Sequence, residues 1–168
     1  WPGYLMTDVH RCAEFLNIPF RWPSPDPVKQ YQDEQGRRRT AEDQIYIYRL
    51  TRLGIVAAEA GRGIEFADEV SSLIWGGTRN WQAGELLAEA TDRAGLDLTT
   101  MDAIVDAETL RLESVILANQ DAHAQSGHWG VPTCAFEGEP FFGQDRIDVL
   151  KWRLRQKGLQ SRAASTAP

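Results

Sequence analysis

The sequence is poor in cysteine, has no long apolar run and shows no excess of positive charge, and each lack closes off a class of function. Its two cysteines, Cys12 and Cys134, stand far apart and form neither a C-x-x-C pair nor a zinc-ligand spacing. A redox dithiol within these residues is therefore excluded, no metal is expected, and two reduced thiols are the expectation rather than a disulfide. The apolar runs are far too short to cross a bilayer, so no membrane partner is expected. A net charge of −6 offers no basic surface to a phosphate backbone, so nucleic acid is not an expected partner either. The one basic cluster, Arg37-Arg38-Arg39, lies beside Asp33, Glu34, Glu42 and Asp43 and reads as a solvated loop. No signal peptide is visible, and the expected location is the cytoplasm; the chain begins at Trp1 rather than at Met.

What is present is the raw material of a folded domain. With 168 residues, 42% hydrophobic and 25% charged, the chain is long enough to bury a core. Most of it has helical periodicity. From Tyr4 to Asn17, Leu5, Val9, Cys12, Ala13 and Leu16 share one face, and Pro19 stops the helix. "RWPSPDP" follows as a stiff connector, and the polar stretch from Val28 to Arg39 is expected to be a mobile loop. Thr40 with Asp43 resembles a capping box before the stripe Ile47, Leu50, Leu53, Gly54 and Ala57, which "EAGRG" interrupts. Further helices are expected from Glu65 to Trp75, stopped by Gly76-Gly77, and from Trp81 to Ala94, closed by Gly95. A short helix capped by Thr99 and Asp102 comes next, then one from Glu108 to Ala124 with Leu110, Leu112, Val115, Ile116 and Ala118 inward.

After Val131 the period changes from helical to alternating. "TCAFEGEPFFG" predicts two strands about a turn at Glu137-Gly138-Glu139, and residues from Gln144 to Gln156 return to helix. Cys134-Ala135-Phe136 is apolar in the manner of a strand buried on both faces, and a lone hairpin is marginal. A strand of that kind wants a neighbour on each side. One further β-α-β unit is therefore expected before Trp1.

"GVPT", the two strands and "FFGQDRIDVLKWRL" resemble the C-terminal end of a DsbA-like thioredoxin-fold domain. More narrowly they are similar to the branch of 2-hydroxychromene-2-carboxylate isomerases and kappa-class glutathione transferases, as is "YLMTDVHRCAEFLNIPFRWPSPDP" at the front. The resemblance implies an α+β thioredoxin-like fold, mostly α by content, with an all-helical insertion from about Ala41 to Ala124. In these terms residues 1–27 leave the first thioredoxin unit, 28–126 form the insertion, 127–158 the β-β-α part and 159–168 a flexible tail. The serine (or C-x-x-C) with which the family begins its catalysis would lie before Trp1, so no catalytic residue is assigned here.

The resemblance also implies a binding site for the cofactor glutathione. The bond between Val131 and Pro132 would be cis, and Val131 would offer its N–H and C=O to an extended thiol peptide. Gln144 and Asp145 open a helix, where free N–H groups favour a carboxylate and Asp145 would take an ammonium, together holding the γ-glutamyl end. Related sequences commonly carry serine where this one has Gln144; Asp145 otherwise simply complements the helix dipole. Trp129 and Cys134 are expected in the core, His128 on an exposed loop, and Arg11 and Arg146 in surface ion pairs. Trp22, Trp75 and Trp81 would line a substrate cleft or pack inside. The expected substrate is a small aromatic acid, isomerised or conjugated, with a homodimer left open. The competing readings are a DsbA-like disulfide oxidoreductase and a binding module without chemistry.

Overall fold

Two helices joined by a tight turn begin the packed part of the chain. In the computed structural model, which describes residues 2–160, α1 spans Pro2–Leu16, α2 Ile47–Glu59, α3 Gly63–Trp75, α4 Leu86–Arg93, α5 Leu98–Gln125 and α6 Ile147–Gln156. Four short strands complete it: β1 Gln30–Gln32, β2 Arg38–Thr40, β3 Thr133–Phe136 and β4 Glu139–Phe142. They form two separate antiparallel hairpins, β1-β2 and β3-β4. The chain divides into two compact units, Trp1–Ile116 and Leu117–Pro168. The tail expected at 159–168 falls almost wholly outside the described residues.

The first unit owns the core. Leu53, Val56 and Ala57 of α2 meet Phe66, Val70, Leu73 and Ile74 of α3, with Leu87 and Ala90 of α4 and Met101, Val105 and Leu112 of α5 in the same cluster. Each set recurs at three- and four-residue spacing, which is why these helices were legible. Two buried polar side chains are satisfied: Thr91 Oγ1 donates to Leu87 O, and Gln44 bonds the backbone of Lys29 and Ala41.

Several elements differ from expectation, each for a local reason. The segment from Val28 to Arg39 is a hairpin rather than a loop, because Asp33 accepts the backbone N–H groups of Gln35 and Arg37 and the side chains of Arg37 and Arg39. Thr40 ends β2 and caps nothing; α2 starts at Ile47 without a side-chain cap. The helix expected from Trp81 starts at Leu86, since Trp81 is buried in a turn and its Nε1 donates to Pro25 O at 2.8 Å. Asp97, not Thr99, caps α5 by accepting the N–H of Thr100. At Glu108, where the second of two helices was expected to start, φ of −122° and ψ of 22° are not helical, so two helices do meet there at a kink within α5. Leu110 is 85% exposed and Ala118 is exposed, so the inward face turns out to be Leu112 with half-buried Val115 and Ile116. On α1, Leu5 and Leu16 are exposed, while Val9, Cys12 and Ala13 are half-buried.

Candidate functional site

The second unit assembles the candidate site from its backbone. The register of β3 and β4 pairs Thr133 with Phe142 and Phe136 with Glu139, about a two-residue turn at Glu137-Gly138 with φ of 48° and 82°. One more bond extends the ladder: Gly143 N–H donates to Pro132 C=O at 2.9 Å. Pro132 therefore lies directly beside Gly143, eleven positions on in sequence, and Gln144 and Asp145 follow in the chain. Val131–Pro132 is a cis peptide bond. Val131 is 76% exposed, and among the described residues no hydrogen bond takes up its N–H or C=O.

Gly130 lies beneath this corner and is the one buried position between 117 and 160. A Cβ there would overlap the ring of Phe142 and touch His128. His128 is half-buried; its ring stacks on Phe142 at 4.0 Å and on Trp129 at 5.7 Å, and its Nδ1 accepts the N–H of Gly130 at 2.9 Å. Gly130 C=O accepts in turn from Thr133 Oγ1 and, at 3.1 Å, from His123 Nε2. His123 was not expected to take part. It sits in the polar last turn of α5, and only its distance of seven residues from Gly130 could have hinted at the contact.

Gln144 opens a short 3-10 turn, Gln144–Arg146, that runs into α6. Both Gln144 and Asp145 are exposed. The Asp145 side chain folds back over Gly143, with Oδ1 2.6 Å from where a Cβ on residue 143 would be, and Oδ2 accepts from Arg146 at 2.8 Å. Arg11 pairs with Asp8 at 3.8 Å. Both arginines thus form the surface ion pairs expected of them.

Two expectations are overturned. Trp129 is 87% exposed rather than packed, since it lies on the outer face of His128. Cys134 and Ala135 are exposed, because β3 has β4 as its sole strand neighbour among the described residues. Trp81 belongs to the core, edge-on to Tyr46 at 5.2 Å. Trp22 and Trp75 instead gather with Phe20 and His10, ring centroids 5.2–6.3 Å apart, next to a cavity of about 520 Å³ that Phe20 and Trp75 help line. Cys12 and Cys134 are free thiols. Among the described residues no cluster of His, Cys, Asp and Glu could hold a metal ion, and no helix is long and apolar enough to cross a membrane.

Residues 3–155 match the DSBA-like thioredoxin domain. The chain belongs to that family. Its α+β, mostly helical, thioredoxin-like character follows from the membership. No curated protein and no solved structure matches the chain. Family members of this kind are typically oxidoreductases or isomerases.

Proposed function

We propose that this DSBA-like domain is a glutathione-dependent isomerase of the chromene-carboxylate type, or a kappa-like glutathione transferase. The observation that carries the reading is the bond from Gly143 N–H to Pro132 C=O, which joins the residue after the exposed Val131 to the residue before Gln144 and Asp145. An extended thiol peptide pairs with Val131 as an added strand. Its γ-glutamyl carboxylate meets the N–H groups at the start of the 144–156 helical segment, and its ammonium meets Asp145. Asp145 then shares its carboxylate with, or turns away from, Arg146.

In the proposed reaction the glutathione thiolate adds to a conjugated carbon of a small aromatic keto acid. The double bond becomes a single bond, which rotates. Elimination then restores the double bond and releases the thiolate, so glutathione is regenerated. None of the 168 residues is assigned the thiol-activating role. Reduced cytosolic glutathione makes the cytoplasm the fitting location, and a homodimer remains compatible with the reading.

The test is calorimetric titration of the 168-residue protein with glutathione, beside Asp145→Ala. Loss of a charge-assisted hydrogen bond should weaken binding by about 1.5–3 kcal/mol. Equal affinity in the two proteins removes Asp145 from the site. Absence of glutathione binding in both proteins would remove the glutathione reading in favour of the disulfide oxidoreductases, whose dithiol is not among these residues.

A further inference from the structure

The two faces of the β1-β2 hairpin dispose of their charge differently. The register sets Tyr31 opposite Arg39 on one face, and Gln32 opposite Arg38 and Gln30 opposite Thr40 on the other. On the first face Asp33 binds both Arg39 and Arg37, at 2.9 and 3.0 Å. On the second, Arg38 has no carboxylate partner among the described residues. Arg38, Gln30 and Gln32 line a cavity of about 560 Å³, to which Val28, Ile45 and Tyr46 contribute apolar surface. The frame of this cavity is held from behind. Tyr46 meets the buried Trp81 edge-on at 5.2 Å, and Trp81 Nε1 donates to the carbonyl of Pro25, itself a lining residue. Buried Gln44 ties the backbone of Lys29 to that of Ala41, which fixes the base of the hairpin.

We propose that this cavity is a binding site for a small aromatic monocarboxylate, with its carboxylate on Arg38 and its ring against Tyr46 and Ile45. A guanidinium is a planar fork that meets a carboxylate in two parallel hydrogen bonds. The amides of Gln30 and Gln32 add donors on the same face of the hairpin. The volume lies within the range of small-molecule sites, roughly 300–1,000 Å³. Two other charged side chains line the cavity, and both are engaged locally: Asp26 Oδ1 accepts Val28 N–H at 2.9 Å, and Lys29 is paired with Asp43. Arg38 is thus the charge left for a ligand, while Asp26 repels a second negative charge. That balance favours a monoanion with an apolar body over phosphate. The proposal stands apart from the glutathione reading, since every residue it uses belongs to the first unit.

The experiment is a titration of the 168-residue protein with sodium benzoate at neutral pH, followed by proton–nitrogen NMR. The expected result is a set of saturable shifts at Gln30, Gln32, Arg38, Ile45 and Tyr46. Shifts that never saturate, or that scatter over the other arginines, overturn the site. Arg38→Gln should weaken benzoate binding about tenfold or more, the loss of a charge-assisted bond. Arg155→Gln removes the same charge from α6 and should leave the affinity unchanged. An equal loss in the two variants would show attraction to overall charge and no site at Arg38. Two further arms use the wild type alone, so they decide even if Arg38→Gln disturbs the hairpin. Benzyl alcohol, which keeps the ring without the charge, should bind at least about tenfold more weakly than benzoate; equal binding removes Arg38 from the site. Inorganic phosphate should not displace benzoate at equal concentration, and displacement would overturn the assignment to a carboxylate.

Discussion

Every buried apolar side chain of the core lies between Leu53 and Leu112, while residues 117–160 contain none and bury Gly130 alone. The first unit is stable for the ordinary reason, apolar area removed from water. The second is held by a hairpin of two four-residue strands, the stacking of Trp129, His128 and Phe142, and surface ion pairs such as Arg153 with Glu139 and Lys157 with Glu137. Exposed pairs of that kind contribute roughly 0–1 kcal/mol each, and an isolated hairpin is marginal. The candidate site thus sits on the weaker unit, where segments that admit ligands are usually found. The difference also separates two kinds of evidence: packing identifies the fold's anchor, and unpaired backbone identifies its site.

The largest effect should come from opening the core. Leu53 and Leu112 are each 0% exposed, and replacing either by Ala should cost about 2–5 kcal/mol in urea unfolding. Leu150→Ala, at a half-buried position of α6, should cost roughly 1 kcal/mol or less. Equal losses in the two units would erase the contrast.

Next comes Gly130→Ala. The added methyl must push into the Phe142 ring, and overpacking of this kind costs about 1–3 kcal/mol. The damage should be confined to residues 128–142, read as faster amide exchange there with the α2–α3 amides unchanged. Protection lost evenly over the whole chain would show that the second unit is as cooperative with the core as any part of it.

The same contrast governs what the sequence made legible. Helices α2 and α3 announce themselves because their apolar residues are spaced to be buried together. The hairpin at Thr133–Phe142 is announced by Glu137-Gly138, whose backbone must turn left-handed. The hairpin at Gln30–Thr40 has no apolar alternation to reveal it; a single carboxylate sets its register. Trp81 looked like the start of a helix because its indole is apolar, but its Nε1 is held by a carbonyl 56 residues away. In the candidate site, Val131, Pro132, Gln144 and Asp145 are singled out by family resemblance alone, and the strand register sets Pro132 beside Gly143. His123 could not, since its one role is a hydrogen bond to a distant backbone oxygen.

The smallest expected effect tests whether coreless parts of the first unit behave like the second. Burial pushes the Asp33 carboxyl up, but hydrogen bonds from the Arg37 backbone, Arg39, the Arg37 side chain and the Gln35 backbone outweigh it and hold the group below the ordinary aspartate value. A carboxyl depressed on folding stabilises the folded form above its unfolded value, and that contribution is lost as pH falls through the folded one. The hairpin should therefore keep its shape at neutral pH and fray below about pH 4, seen as loss of cross-strand NMR contacts between Tyr31 and Arg39. Asp43 is also held low, first by the side-chain hydrogen bond from Lys29, so acid alone does not isolate Asp33. Asp33→Asn at neutral pH does: it keeps an oxygen for the backbone N–H groups but removes the charge that binds both arginines. Partial fraying is the expected outcome, because Gln44 still ties Lys29 to Ala41 at the base. The α2–α3 core should not notice. Cross-strand contacts as strong in Asp33→Asn as in the wild type would mean that the backbone turn holds the hairpin without the charge, and that the coreless segments have some other source of order.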